Sequence, residues 1–173
     1  MWIFAKSARR KPLRPVPGLR LFPLLGLLVV PFTALPAFSA VGDIAVVVRP
    51  DVPAQDLSLT QIRDLVMGER QFWDSNLRLT LLIQPPSARE REVLLKAIYR
   101  MNEAQFRQYW ISKVFRAEAV ASPKIVYSNQ MATQLVATIP GSVAFIEASE
   151  VPKGLKVLKI DGKLPGEKGY PLH

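Results

Sequence analysis

LLIQPPSARERE, Leu81–Glu92, carries three structural signals in one short stretch. The apolar run Leu81, Leu82, Ile83 predicts a buried strand. Pro85 and Pro86 stop it, because proline brings no N–H to a ladder and fixes its own φ. Ser87 with Glu90 three residues on has the spacing of a capping box, so a helix is expected to open at Ser87. A strand that feeds a helix through a tight turn is the unit of α/β domains, in which helices pack on a mostly parallel sheet. The N–H groups and macrodipole at such a helix start also suit an anion.

The same alternation continues on both sides. Upstream, the β-branched run of Asp43–Pro50 predicts a buried strand. Ser58–Gly68 predicts a short helix, with Ser58 and Gln61 as a capping box, Ile62, Leu65 and Val66 on one face, and Gly68 at the stop. A loop follows with Trp73 as its anchor, then a strand over Leu77–Gln84. Downstream, Leu94, Leu95, Ile98 and Met101 give the helix after Ser87 an apolar face. Asn102 is a fresh N-cap, and Phe106, Tyr109, Trp110 and Val114 recur at helical spacing through Phe115. Strands are expected at Pro123–Ser128, Ser142–Glu147 and Leu155–Ile160, with a helix over Asn129–Thr138. The Gly- and Pro-rich tail Asp161–His173 is expected on the surface.

Composition excludes several classes of function. The 173 residues contain no cysteine, hence no disulfide, thiolate metal site or thiol nucleophile, and the one histidine is His173. The formal charge of +9 is concentrated at one end. Residues 1–39 hold Lys6, Arg9, Arg10, Lys11, Arg14 and Arg20 and no acid, which leaves 17 basic against 14 acidic side chains beyond them. That balance gives no footprint for nucleic acid. The basic start, the apolar run to Phe38 and the small residues Ala37, Ser39 and Ala40 follow the layout of a secretory signal. Pro23, Gly26, Pro31 and Pro36 interrupt that run, which disfavours a spanning anchor. The expected organisation is a signal peptide over 1–39 and one domain over 40–173, in the periplasm, membrane-anchored if the leader is uncleaved.

SLTQIRDLVMGERQFW (Ser58–Trp73) resembles the LS-x-x-Q-(I/L)-R-x-(I/L)-F-x-G-x-x-x-x-W segment of periplasmic phosphate-binding proteins, the substrate-binding receptors of phosphate ABC importers. NEAQFRQYW, TIPGSVAFIE and GYPL are similar to further segments of that family, in the same order. The resemblance spans about Asp43 to Leu172 and implies a single lobe of a two-lobed receptor. In the family, the segment matching QPPSARERE is similar to R-x-x-G-S-G-T, whose arginine, serine, glycine and threonine hold an anion. Here the serine carries over as Ser87, while Ile83, Ala88 and Arg89 stand at the arginine, second glycine and threonine positions. The glycine-and-serine loop that opens the full-length receptors has no counterpart.

The resemblance implies weak binding of phosphate or another oxyanion at Ser87 and the N–H groups of Ala88 and Arg89, with Arg89 as a substitute cation. Against it, Glu90 competes for the same N–H groups and repels an anion. The alternative is a degenerate lobe that docks a membrane transporter or envelope protein. Trp73, Phe106, Tyr109, Trp110 and Phe115 read as core rather than as a ligand-stacking set. The Arg/Glu alternation of ARERE reads as a solvated helix face. Lys153, Lys156, Lys159 and Lys163 read either as an anion-facing set or as charges guarding a strand edge. Asp64, Asp74, Glu90 and Glu92 fall in no acid/base or metal spacing, so a non-enzymatic protein without cofactor is expected.

Overall fold

The computed structural model describes residues 42–74 and 76–173. The proposed leader over 1–39 lies outside them. The chain runs β1 (Ile44–Val48), β2 (Asp56–Leu57), α1 (Leu59–Val66), β3 (Thr80–Ile83), α2 (Arg89–Leu94), a π-helical turn (Leu95–Tyr99), α3 (Glu103–Phe115), β4 (Lys124–Ile125), α4 (Asn129–Thr138), β5 (Ser142–Glu147), β6 (Lys156–Val157) and β7 (Lys159–Ile160). Five strands form one sheet in the order β4-β3-β5-β1-β6, and β2 pairs with β7 in a second, parallel sheet. In the main sheet β4, β3, β5 and β6 run one way and β1 alone runs the other, antiparallel to both neighbours. The expected α/β layer with a mostly parallel sheet is present.

Strand β1 is an interior strand, between β5 and β6, and its wholly apolar sequence suits that place. All five residues are buried, alternately on the two faces. Ile44, Val46 and Val48 join Leu81, Ile83, Val143 and Phe145 beneath α1, α2 and α3. Ala45 and Val47 join Leu82, Ala144 and Ile146 against Ala132 and Val136 of α4. Each large side chain so buried is worth roughly 1.5–3 kcal/mol relative to exposure. The loop before β3 is fixed by Trp73, whose indole N–H donates to the Gly141 carbonyl at 2.8 Å. Gly141 sits at φ +68°, and a Cβ there would lie 2.1 Å from the Arg78 carbonyl oxygen, so only glycine fits the turn into β5.

Several expectations need correction. The helix after Pro86 opens at Ala88, one residue later than the serine suggested, with no side-chain cap. Leu155–Ile160 is not one strand: β6 and β7 belong to different sheets, with buried Leu158 between them. The expected strand over Leu77–Gln84 is shorter, because Leu77–Leu79 bonds back to the Trp73 loop. The tail is not purely superficial. Tyr170 and Leu172 are buried, the Ile44 N–H donates to the Leu172 carbonyl at 2.7 Å, and the Tyr170 hydroxyl donates to the Ile44 carbonyl at 2.8 Å. Burial also pushes the Tyr170 phenol upward. Phe115 is not core: it is 90% exposed, and Val114 is exposed beside it.

Candidate functional site

The parallel pairing of β3 with β4 places the starts of α2 and α4 side by side at the carboxyl ends of those strands. Open α/β sheets bind ligands outside the carboxyl ends of their strands. The junction is bridged by three side chains. The Gln84 amide donates to Asn129 Oδ1 at 2.7 Å, and the Asn129 amide donates to Glu90 Oε1 at 2.8 Å. Ser128 caps α4 by accepting from the Met131 N–H at 3.0 Å. Gln84 is 3% exposed, and its Oε1 has no partner among the described residues.

Beneath the bridge, Arg91 anchors α2. Its guanidinium donates to both oxygens of Glu103, at 2.9 and 2.5 Å, and to the Gln84 carbonyl at 3.0 Å. It also lies 4.6 Å from the centroid of Phe106. Arg91 is therefore buried, which corrects the reading of ARERE as a uniformly solvated face. A second ion pair of this kind joins Lys113 to Glu69 at 2.5 Å, with the Tyr109 hydroxyl accepting from the same ammonium. Burial opposes the Lys113 charge, but the bonds to Glu69 and Tyr109 outweigh it and hold the ammonium above its ordinary range. Burial pushes the phenol of Tyr99 upward, and its hydroxyl donates to the Val66 carbonyl.

The residues singled out in sequence are contiguous but do not converge. Ser87 is exposed in a turn, and no cap bond involves it. The Ala88 N–H already donates to the Pro85 carbonyl at 3.0 Å. The Arg89 side chain lines a concavity of about 570 Å³ with Glu92, Lys96, Pro171 and His173, and its Nη1 is buried without a partner among the described residues. Lys96 bonds Glu92 and, with a weaker pull from Arg89, holds that carboxyl below its ordinary range. Gln84 and Asn129, which shape the junction, were missed in sequence. The signal for them was the repeated strand-then-helix unit, whose parallel neighbours bring successive helix starts together.

The lysines separate. Lys156 is tied to the Pro50 and Val52 carbonyls and Lys163 to the Gly169 carbonyl, while Lys153 and Lys159 are exposed. They form no common anion-facing set. Among the described residues no cluster of three or more His, Asp or Glu side chains could hold a metal, and no helix is long and apolar enough to cross a membrane.

Solved structures share this architecture. A protein described as a phosphate ABC transporter substrate-binding protein with bound phosphate, from Clostridium perfringens, superposes with a TM-score of 0.57 at 18% identity, over 71% of this chain and 46% of that one. An ABC-type phosphate transport receptor from Vibrio cholerae gives 0.57 at 18%, over 72% and 48%. PstS from Borrelia burgdorferi gives 0.58 at 14%, over 76% and 54%. The chain shares its fold with part of each of these binding proteins. The chain spans about half the length of these structures. No family model and no curated protein matches its sequence. The lobe resemblance read from Ser58–Trp73 and its companion segments thus holds at the level of fold.

Proposed function

We propose that this chain is an exported, non-enzymatic binding domain of phosphate-receptor type that takes phosphate or a similar oxyanion weakly. Residues 1–39 act as the signal and 40–173 as the working domain in the periplasm, where the domain serves a membrane transporter. The observation that carries the reading is the pairing of two helix starts, α2 and α4, at the carboxyl ends of β3 and β4. The Ser87 hydroxyl and the Arg89 N–H supply donors at the α2 start, Ala88 lets the ligand approach the backbone, and the Arg89 side chain, turned toward Glu92 and Lys96, adds only its charge nearby. Gln84 Oε1, buried beneath the junction, is an acceptor without a partner among the described residues. Glu90 keeps affinity low, because its carboxylate sits in the same helix-start field.

Phosphate at ten times its dissociation constant should stabilise the domain by about 1.4 kcal/mol, or roughly 3–6 °C in Tm. Thermal melts in millimolar phosphate, sulfate and chloride at matched ionic strength test this. Equal melting temperatures in all three remove the oxyanion reading. Fractionation with N-terminal sequencing of the mature protein tests the export reading.

A second reading has its own observation. Gln84, Asn129 and Glu90 close the junction by bonding one another, while the flank between α3 and β4 stays open and apolar. That contrast favours a lobe that docks another envelope protein.

A further inference from the structure

The flank of β4 is an unfinished sheet edge beside an apolar groove. β4 ends the five-stranded order and pairs only with β3. The Val126 N–H donates to the Ile83 carbonyl at 2.9 Å. In a parallel ladder with Ile83 opposite Ile125, this phase turns the N–H and carbonyl of Ile125 away from β3. They face outward, toward the position of a sixth strand. Next to this edge runs a groove of about 580 Å³, lined by Ile125, Phe106, Ile111, Val114 and Phe115. Ile111 is 57% exposed and Phe115 90%, both from the last two turns of α3.

The charges around the groove select its occupant. Glu103, the one acid of its lining, is taken by Arg91, whereas Arg107 is exposed with no ion pair among the described residues. Strand alternation turns Lys124 to the opposite sheet face from Ile125, and Lys124 too has no ion pair there. A second copy of this chain is a poor fit, since edge-to-edge pairing of two β4 strands would set lysine near lysine, and like charges across a strand pair are unfavourable. A strand that alternates apolar and acidic residues fits both sides at once.

We propose that an extended segment of another protein, alternating apolar and acidic side chains, adds to the sheet beside β4. Its main chain bonds to Ile125, its apolar side chains enter the groove against Phe115 and Ile111, and its acids, on the other face of the sheet, meet Lys124. This is strand addition, in which main-chain bonds give affinity and alternate side chains give specificity. The proposal rests on the docking reading and names its surface and partner chemistry.

The test uses the purified chain and a fluorescent ten-residue peptide of alternating valine and glutamate, read by anisotropy. Saturable binding is expected. The same peptide with lysine for glutamate, or with prolines at alternate positions, should bind at least tenfold more weakly. Phe115→Ser, at an exposed site that leaves folding intact, should weaken binding at least tenfold, as should Ile125→Asp. Equal binding of the proline peptide, or by Phe115→Ser, overturns the proposal. A dimer on gel filtration that Phe115→Ser abolishes overturns it in favour of a second copy. An envelope partner retained equally by wild type and Phe115→Ser overturns this surface but leaves the docking reading standing. No retained partner and no peptide binding remove both.

Discussion

Two helix starts in this chain carry nearly the same four-residue signature, and only one uses it. At α1, Ser58 accepts from the Gln61 N–H at 3.1 Å while the Gln61 side chain accepts from the Ser58 N–H at 2.8 Å. At α2, Ser87 and Glu90 have the same spacing, yet the serine is exposed and the glutamate bonds Asn129, 39 residues away. The first start is sealed by its own neighbours. The second is held by parts of the chain far off in sequence, Asn129 above and Glu103 below. Pro85 and Pro86 make the difference: the tight turn they impose commits the Ala88 N–H to the Pro85 carbonyl and shifts the cap position past the serine. A spacing motif states what a local backbone can do, and the fold decides whether it does it.

The largest expected effect tests the far-held start. Arg91→Ala should cost about 3 kcal/mol in urea denaturation, because it strands the half-buried Glu103 carboxylate and the Gln84 carbonyl. A cost below about 1 kcal/mol would mean that α2 does not depend on its distant anchor. The paired cap substitutions come next. Ser58→Ala should cost about 1 kcal/mol and Ser87→Ala less than about 0.5 kcal/mol. Equal losses at the two serines would erase the comparison. Glu90→Gln keeps an acceptor for Asn129 but removes the charge, so phosphate affinity should rise about 2- to 5-fold in calorimetric titration, from a field effect of roughly 0.3–1 kcal/mol. An unchanged or lower affinity would separate the junction from anion binding.

The smallest effect concerns a third turn that is also sealed locally. Asp74 Oδ1 accepts from the Asn76 and Leu77 N–H groups at 3.0 and 2.9 Å, and these bonds hold the carboxyl below its ordinary value. A folded pKa below the unfolded one gives stability that is present above the ordinary carboxylate range and lost as pH falls through the folded value. Asp74→Asn should therefore flatten the pH dependence of Tm slightly below about pH 4. A profile identical to wild type there would show that the turn contributes nothing to acid sensitivity.

Sequence legibility followed the same division between near and far. The bounds of α4 and β5, the Ser58 box and the Asn102 cap were all readable, because each rests on residues within about one turn of one another. The order of strands and helices gave the α/β layer for the same reason. Reversal of β1 and division of Leu155–Ile160 between two sheets depend on pairings about a hundred residues apart, and local pattern is blind to those. Burial of Arg91 was hidden because its carboxylate partner lies on the next helix. Phe115 broke the helical reading for a different cause. Its spacing predicts a core face, but the last turn of α3 buries Lys113, bonded to Glu69, and leaves Phe115 on the exposed side. The strand-to-helix junction after Ile83 was legible, and the side-chain bridge across it was not, since Gln84 and Asn129 acquire meaning only as neighbours.

The interior position of β1 has a consequence for the order in which the molecule can assemble. Its two partners are β5 and β6, so Ile44 must find Glu147 and Val48 must find Lys156. The first strand of the domain to be synthesised is thus among the last to be fixed, and loop closures of that length make folding slow. Until β5 is available, β1 has no partner strand, and its five buried residues lack the neighbours that cover them.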